Sequence, residues 1–212
     1  MARISIILSD LPDGEEKARI LHSLDAMNRL FAGLKGRSWD FKGETAAVLE
    51  QIRQSGVIDP LLVALKDEDE MIREKSAWAL GELGDRRAVV PLVNSLSRNP
   101  PRVRQTIAWA LGMIRDAAAV EPLILRLKED DWPDVRQSSA WALGMIGSPH
   151  AVEPLIAGLT DNWSDVRHGS AWALGRIGDV RAIEPLRAVV NEDRDEDVRQ
   201  VAVAALARLS NR

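Results

Sequence analysis

Four tryptophans, Trp78, Trp109, Trp141 and Trp172, stand 31, 32 and 31 residues apart, each inside the same string, Ala-Trp-Ala-Leu-Gly. Indoles in such a row can seal a seam between helices or anchor an apolar partner, because their large faces carry much contact area and a polar N–H. Five arginines recur with the same period: Arg73, Arg104, Arg136, Arg167 and Arg199. A guanidinium ladder either grips phosphates or clamps carboxylates and loop carbonyls between neighbouring units. Asp134, Asp165 and Asp197 stand two residues before three of these arginines, which favours the clamp.

Other reactive chemistry finds little support. The chain has no cysteine, so disulfides, thiolate metal sites and cysteine nucleophiles are excluded. The acidic loops Asp67 to Glu70, Glu129 to Asp131 and Glu192 to Asp197 lack the alternating oxygen ligands and central glycine of a calcium loop and read as solvated turns. His22, His150 and His168 lie far apart. No glycine-rich phosphate loop, Ser-His-Asp set or paired-carboxylate motif stands out, so no catalytic residue, metal or cofactor is expected.

Charged residues make up 28% of the chain and hydrophobic ones 46%, and no apolar tract approaches the ~18 residues that span a bilayer, so the reading is neither membranous nor disordered. A net charge of −4 argues against the clustered basic surface of a nucleic-acid binder. The apolar run Ile4 to Leu8 is too short for a secretory signal and lacks a small-residue cleavage site, which makes the cytoplasm the expected location.

Self-similarity at a fixed period of this length is the signature of a stacked-repeat array, in which each unit buries its apolar face against the next. Residues 1–43 read as an N-terminal arm plus a capping helix from Asp13 to Leu34, with Gly36 to Gly43 as a loop, and 44–56 as the helix of a degenerate repeat. Five units follow, at 57–87, 88–118, 119–150, 151–181 and 182–212. Each opens with a short helix carrying an early proline (Pro60, Pro91, Pro122, Pro154, Pro185). Proline is tolerated in a first turn, so these helices either begin just before it or bend there. A polar loop leads to a second helix that ends past the Leu-Gly of the repeated string. Gly84, Gly147 and Gly178 are placed as left-handed caps, and Asp85, Ser148 and Asp179 as caps of the helix that follows. The last unit reads Val203-Ala204-Ala205-Leu206 in place of Ala-Trp-Ala-Leu, as suits a C-terminal cap.

With Pro-Leu-Ile, Asp-Val-Arg and Ala-Trp-Ala-Leu-Gly-x-Ile-Gly at these spacings, residues 57–212 resemble the HEAT-like repeats named after the phycobilisome (PBS) lyases. The resemblance implies an all-α fold, a right-handed α-solenoid of stacked antiparallel helix pairs of the HEAT-like or armadillo type, whose second helices line a concave face. It also implies a range of roles: bilin lyase subunits, scaffold proteins and accessory subunits of larger complexes. The absence of recurring His-Glu pairs argues against the di-iron hydroxylases built on similar repeats.

Which way the indoles face follows from about 100° of rotation per residue. With Val135 at zero, Ser139, Ala142, Leu143 and Ile146 cluster within about 80° of it and form the core side. Trp141 falls at about 240°, beside Gln137, Met145 and Ser138, so it lies off the core line. Stacked second helices would set successive tryptophans ~10 Å apart. Two readings stay open: a packed seam between second helices, or partly exposed anchors for a partner. On the second, the concave face comprises Trp78, Trp109, Trp141 and Trp172, with Met113 and Met145 adapting and Glu74, Gln105, Gln137, His168 and Arg176 setting polarity. Trp132 and Trp163 add to its N-terminal rim. The expected function is a protein-interaction scaffold or accessory subunit that binds a peptide segment or helix of another protein. The alternatives are a bilin lyase subunit or chromophore chaperone, which the resemblance implies, and a structural spacer with a closed inner surface.

Overall fold

A computed structural model of the chain describes residues 58–210. The expected capping helix, the loop after it and the degenerate repeat helix lie outside the described residues. Within them ten α-helices alternate between short and long. The short ones are α1 (Asp59–Ala64), α3 (Val89–Ser95), α5 (Val120–Glu129), α7 (Val152–Gly158) and α9 (Ile183–Glu192). The long ones are α2 (Glu70–Leu83), α4 (Pro101–Ile114), α6 (Pro133–Ile146), α8 (Ser164–Ile177) and α10 (Glu196–Ser210). Each short helix pairs with the long helix after it, and the long helices stack in the order α2, α4, α6, α8, α10.

Local chemistry accounts for the punctuation. Four short helices are entered through a single 3₁₀ turn, and the side chain of Asp85, Asp116, Ser148 or Asp179 accepts an amide from that turn. The α-helix then begins two residues before Pro91, Pro122, Pro154 or Pro185, leaving each ring in a first turn, where its missing N–H costs no helical hydrogen bond. The proline helices therefore begin just before the ring. At the far end of the long helices, Gly84, Gly147 and Gly178 take φ of 68°, 77° and 78°, the left-handed conformation that closes a helix. At the fourth such position stands Arg115 with φ 58°, a conformation that costs a side-chain-bearing residue free energy.

One core runs the length of the stack. Leu61, Leu92, Leu123, Leu155 and Leu186 from the short helices meet Leu80, Leu111, Leu143 and Leu174 from the long ones, all wholly buried. Burying one such side chain contributes ~1.5–3 kcal/mol. Val135, Ser139, Ala142 and Leu143 are buried and Ile146 is half-buried, as the helical projection places them.

Four of the five recurring arginines staple one loop to the next, while Arg199 bonds Glu196 of its own helix and the Asp193 carbonyl. Arg104 makes two hydrogen bonds to the carboxylate of Asp130, at 2.8 and 2.6 Å, and donates to the Asn99 carbonyl of its own loop. Arg136 does the same with Asp161 and the Asp130 carbonyl, and Arg167 with Asp193 and the Asp161 carbonyl. At the first rung Arg73 donates to the Asn99 side chain, 2.7 Å away. The carboxylates thus come from the loop of the following pair, not from the acids two residues before each arginine. Asp130 and Asp161 also accept the amides of Trp132 and Trp163, so each staple shapes the loop that carries an exposed indole. Hydrogen bonding from Arg167 holds the Asp193 carboxyl below the usual carboxylate range. Burial pushes Asp161 up, but the bonds from Arg136 and the Trp163 amide outweigh it and the net shift is down.

Candidate binding groove

The four tryptophans of the repeated string sit on one side of the long helices and are half-buried, packed against the edge of the core. For Trp109, Trp141 and Trp172 the partner is the glycine of the preceding string. A methyl built on Gly81 would stand 2.8 Å from Cζ3 of Trp109. The same atom of Trp141 meets Gly112 and that of Trp172 meets Gly144, each at 2.8 Å. Each indole edge thus lies in a notch that only glycine leaves open. The helical projection sees the rotation of Trp141 away from its own pair's core, but not the neighbouring helix that receives the ring's edge.

The notch buries one edge and leaves the rest of the ring available. Trp109, Trp141 and Trp172, with Gln137, Ser138, His168 and Gly169, surround an open groove of about 530 Å³. Trp141 and Trp172 stack with centroids 6.2 Å apart and planes 13° from parallel. The Arg176 guanidinium lies 5.4 Å from the centroid of Trp172, within cation–π range, and donates to the Gly144 carbonyl at 3.4 Å. At Gly169, by contrast, an added methyl would make ordinary contact with the Gln137 carbonyl, at 3.4 Å.

The other residues singled out in the sequence distribute unevenly. Trp78, Glu74 and Gln105 are half-buried on earlier long helices, outside the groove lining. Glu74 stands 3.7 Å from Arg102. Met113 and Met145 are half-buried near the C-terminal ends of α4 and α6, also outside the lining. Trp132 and Trp163 occupy the N-cap positions of α6 and α8 and are 53% and 56% exposed. Sequence reading missed a second compartment next to the aromatic one, of about 540 Å³ and polar, where Asp165, Asp195 and Asp197 gather with Gln200 and Ser164. Its signal was present as a row of acids before Val135, Val166 and Val198. Among the described residues no group of three or more histidines and acids is placed to hold a metal ion. No helix among them is long and apolar enough to cross a membrane.

Antiparallel helix pairs stacked around one continuous core, with a groove along the long-helix face, define an α-solenoid of the armadillo and HEAT class. The HEAT repeats pattern matches residues 27–112, 90–144 and 120–207, and the chain belongs to that family. No curated protein matches the sequence. Several solved structures share the fold. A designed armadillo repeat protein in complex with the peptide (KR)4 superposes with a TM-score of 0.61 at 21% identity, over 85% of this chain and 98% of that one. The complex of CpcE and CpcF of phycocyanin lyase from Nostoc sp. PCC7120 gives 0.60 at 21%, over 71% and 98%. The condensin Cnd3-Cnd2 subcomplex of S. pombe gives 0.68 at 18%, over 87% of this chain and 28% of that one.

Proposed function

We propose that the protein is an interaction scaffold or accessory subunit that captures a segment of a partner protein, an extended peptide or a helix, along its long-helix face. The observation that carries this reading is the convergence of Trp109, Trp141 and Trp172 with Gln137 and His168 around one open groove. Aromatic side chains fixed by packing lose little conformational freedom on binding and offer large apolar faces, while flanking amides satisfy a partner's backbone. Trp78, Glu74, Gln105, Met113, Met145, Arg176, Trp132 and Trp163 would extend the contact beyond the groove. The similarity in fold to a designed armadillo repeat protein in complex with a peptide, and to two subunits of phycocyanin lyase in complex with each other, supports a protein partner. The test is co-purification of wild-type protein and variants from the source. Trp109→Ala with Trp141→Ala removes the groove wall, and Gln137→Glu with His168→Glu alters it while leaving the glycine notches intact. Partners retained at wild-type strength by both variants would overturn the proposal.

A second reading, a bilin lyase subunit or chromophore chaperone of the phycobilisome lyase type, rests on the stacked planes of Trp141 and Trp172, which suit a flat conjugated ligand. An absorbance titration with bilin, alone and with a paired subunit, separates the two readings. An unchanged spectrum removes the second.

A further inference from the structure

Charge is distributed unevenly around the groove. Six acids of the loops and caps are matched: Asp130 by Arg104, Asp161 by Arg136, Asp193 by Arg167, Asp85 by Arg87, Asp116 by Arg86 and Asp179 by Arg181. The polar compartment instead gathers three carboxylates in one space beside the indoles. Asp165 and Asp197 form no salt bridge with any described residue, and Asp195 uses one carboxylate oxygen to accept the Asp197 and Val198 amides. No lysine or arginine lines the space, which meets the tryptophan groove at Gln137 and His168.

Acids in a helix's first turn also favour the helix, through the partial positive charge at its N-terminus. That effect would operate in every unit. Glu70, Asp134, Asp165 and Asp197 all stand in such first turns, but Asp165 and Asp197 differ in lining one space with Asp195, beside the open indoles. A negative compartment whose lining holds no lysine or arginine, joined to an aromatic one, is complementary to a segment carrying both positive charge and apolar surface. Lysine and arginine have the required form, an apolar stem ending in a cation. Arg176 already sets a guanidinium over Trp172 at 5.4 Å, so the indole row accepts this group within one chain.

We infer that the groove's occupant is a partner-protein segment in which lysine or arginine alternates with aliphatic or aromatic residues, its cations in the compartment of Asp165, Asp195 and Asp197 and its apolar side chains on Trp109, Trp141 and Trp172. This rests on the segment-binding role proposed above and adds the chemistry of the segment. A partner rich in Asp or Glu is rejected, because its carboxylates would face unpaired like charge.

The test uses the full chain and three fluorescently labelled peptides of equal length, alternating Lys-Leu, Ser-Leu and Glu-Leu, followed by anisotropy at physiological salt. The Lys-Leu peptide is expected to bind about tenfold tighter than Ser-Leu, the scale of two exposed ion pairs, and Glu-Leu more weakly than either. Asp165→Asn with Asp197→Asn should bring Lys-Leu down to the Ser-Leu affinity. Glu121→Gln with Glu129→Gln, which removes equal charge from exposed positions on α5, should leave it unchanged. Equal affinities for Lys-Leu and Ser-Leu, both lost in Trp109→Ala with Trp141→Ala, would overturn the cationic preference and keep the binding role. An equal loss of Lys-Leu affinity in the α5 control would also overturn the preference, as attraction by net charge. Binding of every peptide unaffected by the tryptophan changes would remove the binding role itself.

Discussion

The edge of the Trp141 indole rests in a notch at Gly112 of the preceding long helix, so close that a methyl on that glycine would stand 2.8 Å from Cζ3 of the ring. The relation repeats between Trp109 and Gly81 and between Trp172 and Gly144. It explains why tryptophan and glycine travel together in the repeated string: from Trp109 onward each tryptophan fits the glycine of the unit before it, and Gly175 meets Ala205 in the last unit, which has no tryptophan.

Replacing Gly112 with alanine should destabilise the protein by about 1–3 kcal/mol through overpacking. Shortening Trp141 should not rescue it, because the added methyl also lies 2.8 Å from the Cα of Ala142, which cannot retreat without moving α6. Chemical denaturation of the single and double variants measures this.

Arg115→Gly should have the opposite sign. Arg115 alone among the described non-glycine residues holds a positive φ, 58°. Glycine removes that strain, partly offset by the greater freedom of the unfolded chain. A gain of about 0.5–1 kcal/mol is expected, visible as a higher Tm.

The Arg167–Asp193 staple should make stability depend on pH in the acid range. The Asp193 carboxyl is held below its ordinary value by hydrogen bonds from Arg167. A lowered folded-state value stabilises above the unfolded-state pKa of about 4 and is lost as pH falls through the folded-state value. Stability should therefore be level from neutrality to about pH 5 and decline below about pH 4. Arg167→Ala, which strands a nearly buried carboxylate, should cost about 3 kcal/mol at neutral pH and flatten this decline. Arg167→Lys should fall between, since it retains the charge and loses the two-pronged contact. Denaturation midpoints across the acid range check all three.

Ser170→Ala should be neutral or stabilising by up to about 1 kcal/mol. Its hydroxyl is buried with no hydrogen-bond partner, whereas Ser139 and Ser76 donate to the carbonyls of Val135 and Ile72. Removing a buried unpaired hydroxyl relieves a desolvation penalty. Ser139→Ala, which loses a made bond, provides the comparison in thermal unfolding.

Tryptophan quenching separates an open groove from a closed spacer. With Trp39→Phe as background, acrylamide should quench an exposed class that disappears in Trp132→Phe with Trp163→Phe, and partly quench the half-buried ladder. A protein whose remaining tryptophans are blue-shifted and wholly resistant has a sealed inner surface.

By itself the sequence determined the period, the alternation of short and long helices, the glycine and aspartate caps, an early proline in each short helix, and the positions that share a row. These are properties of single helices and their ends: a fixed rotation per residue, a free first-turn amide, a backbone that must turn left-handed. Only the tertiary structure decided what neighbouring helices do to one another. The projection put Trp141 off its own core line, and stacking then set the ring's edge into Gly112 while leaving the groove-facing surface open. The arginines announced a clamp, yet their carboxylates lie 25 or 26 residues onward, in the next loop. The joining of the indole row to Asp165, Asp195 and Asp197 likewise depends on the offset between adjacent long helices. That offset comes from packing at glycine and alanine, and no pattern along one strand of sequence encodes it.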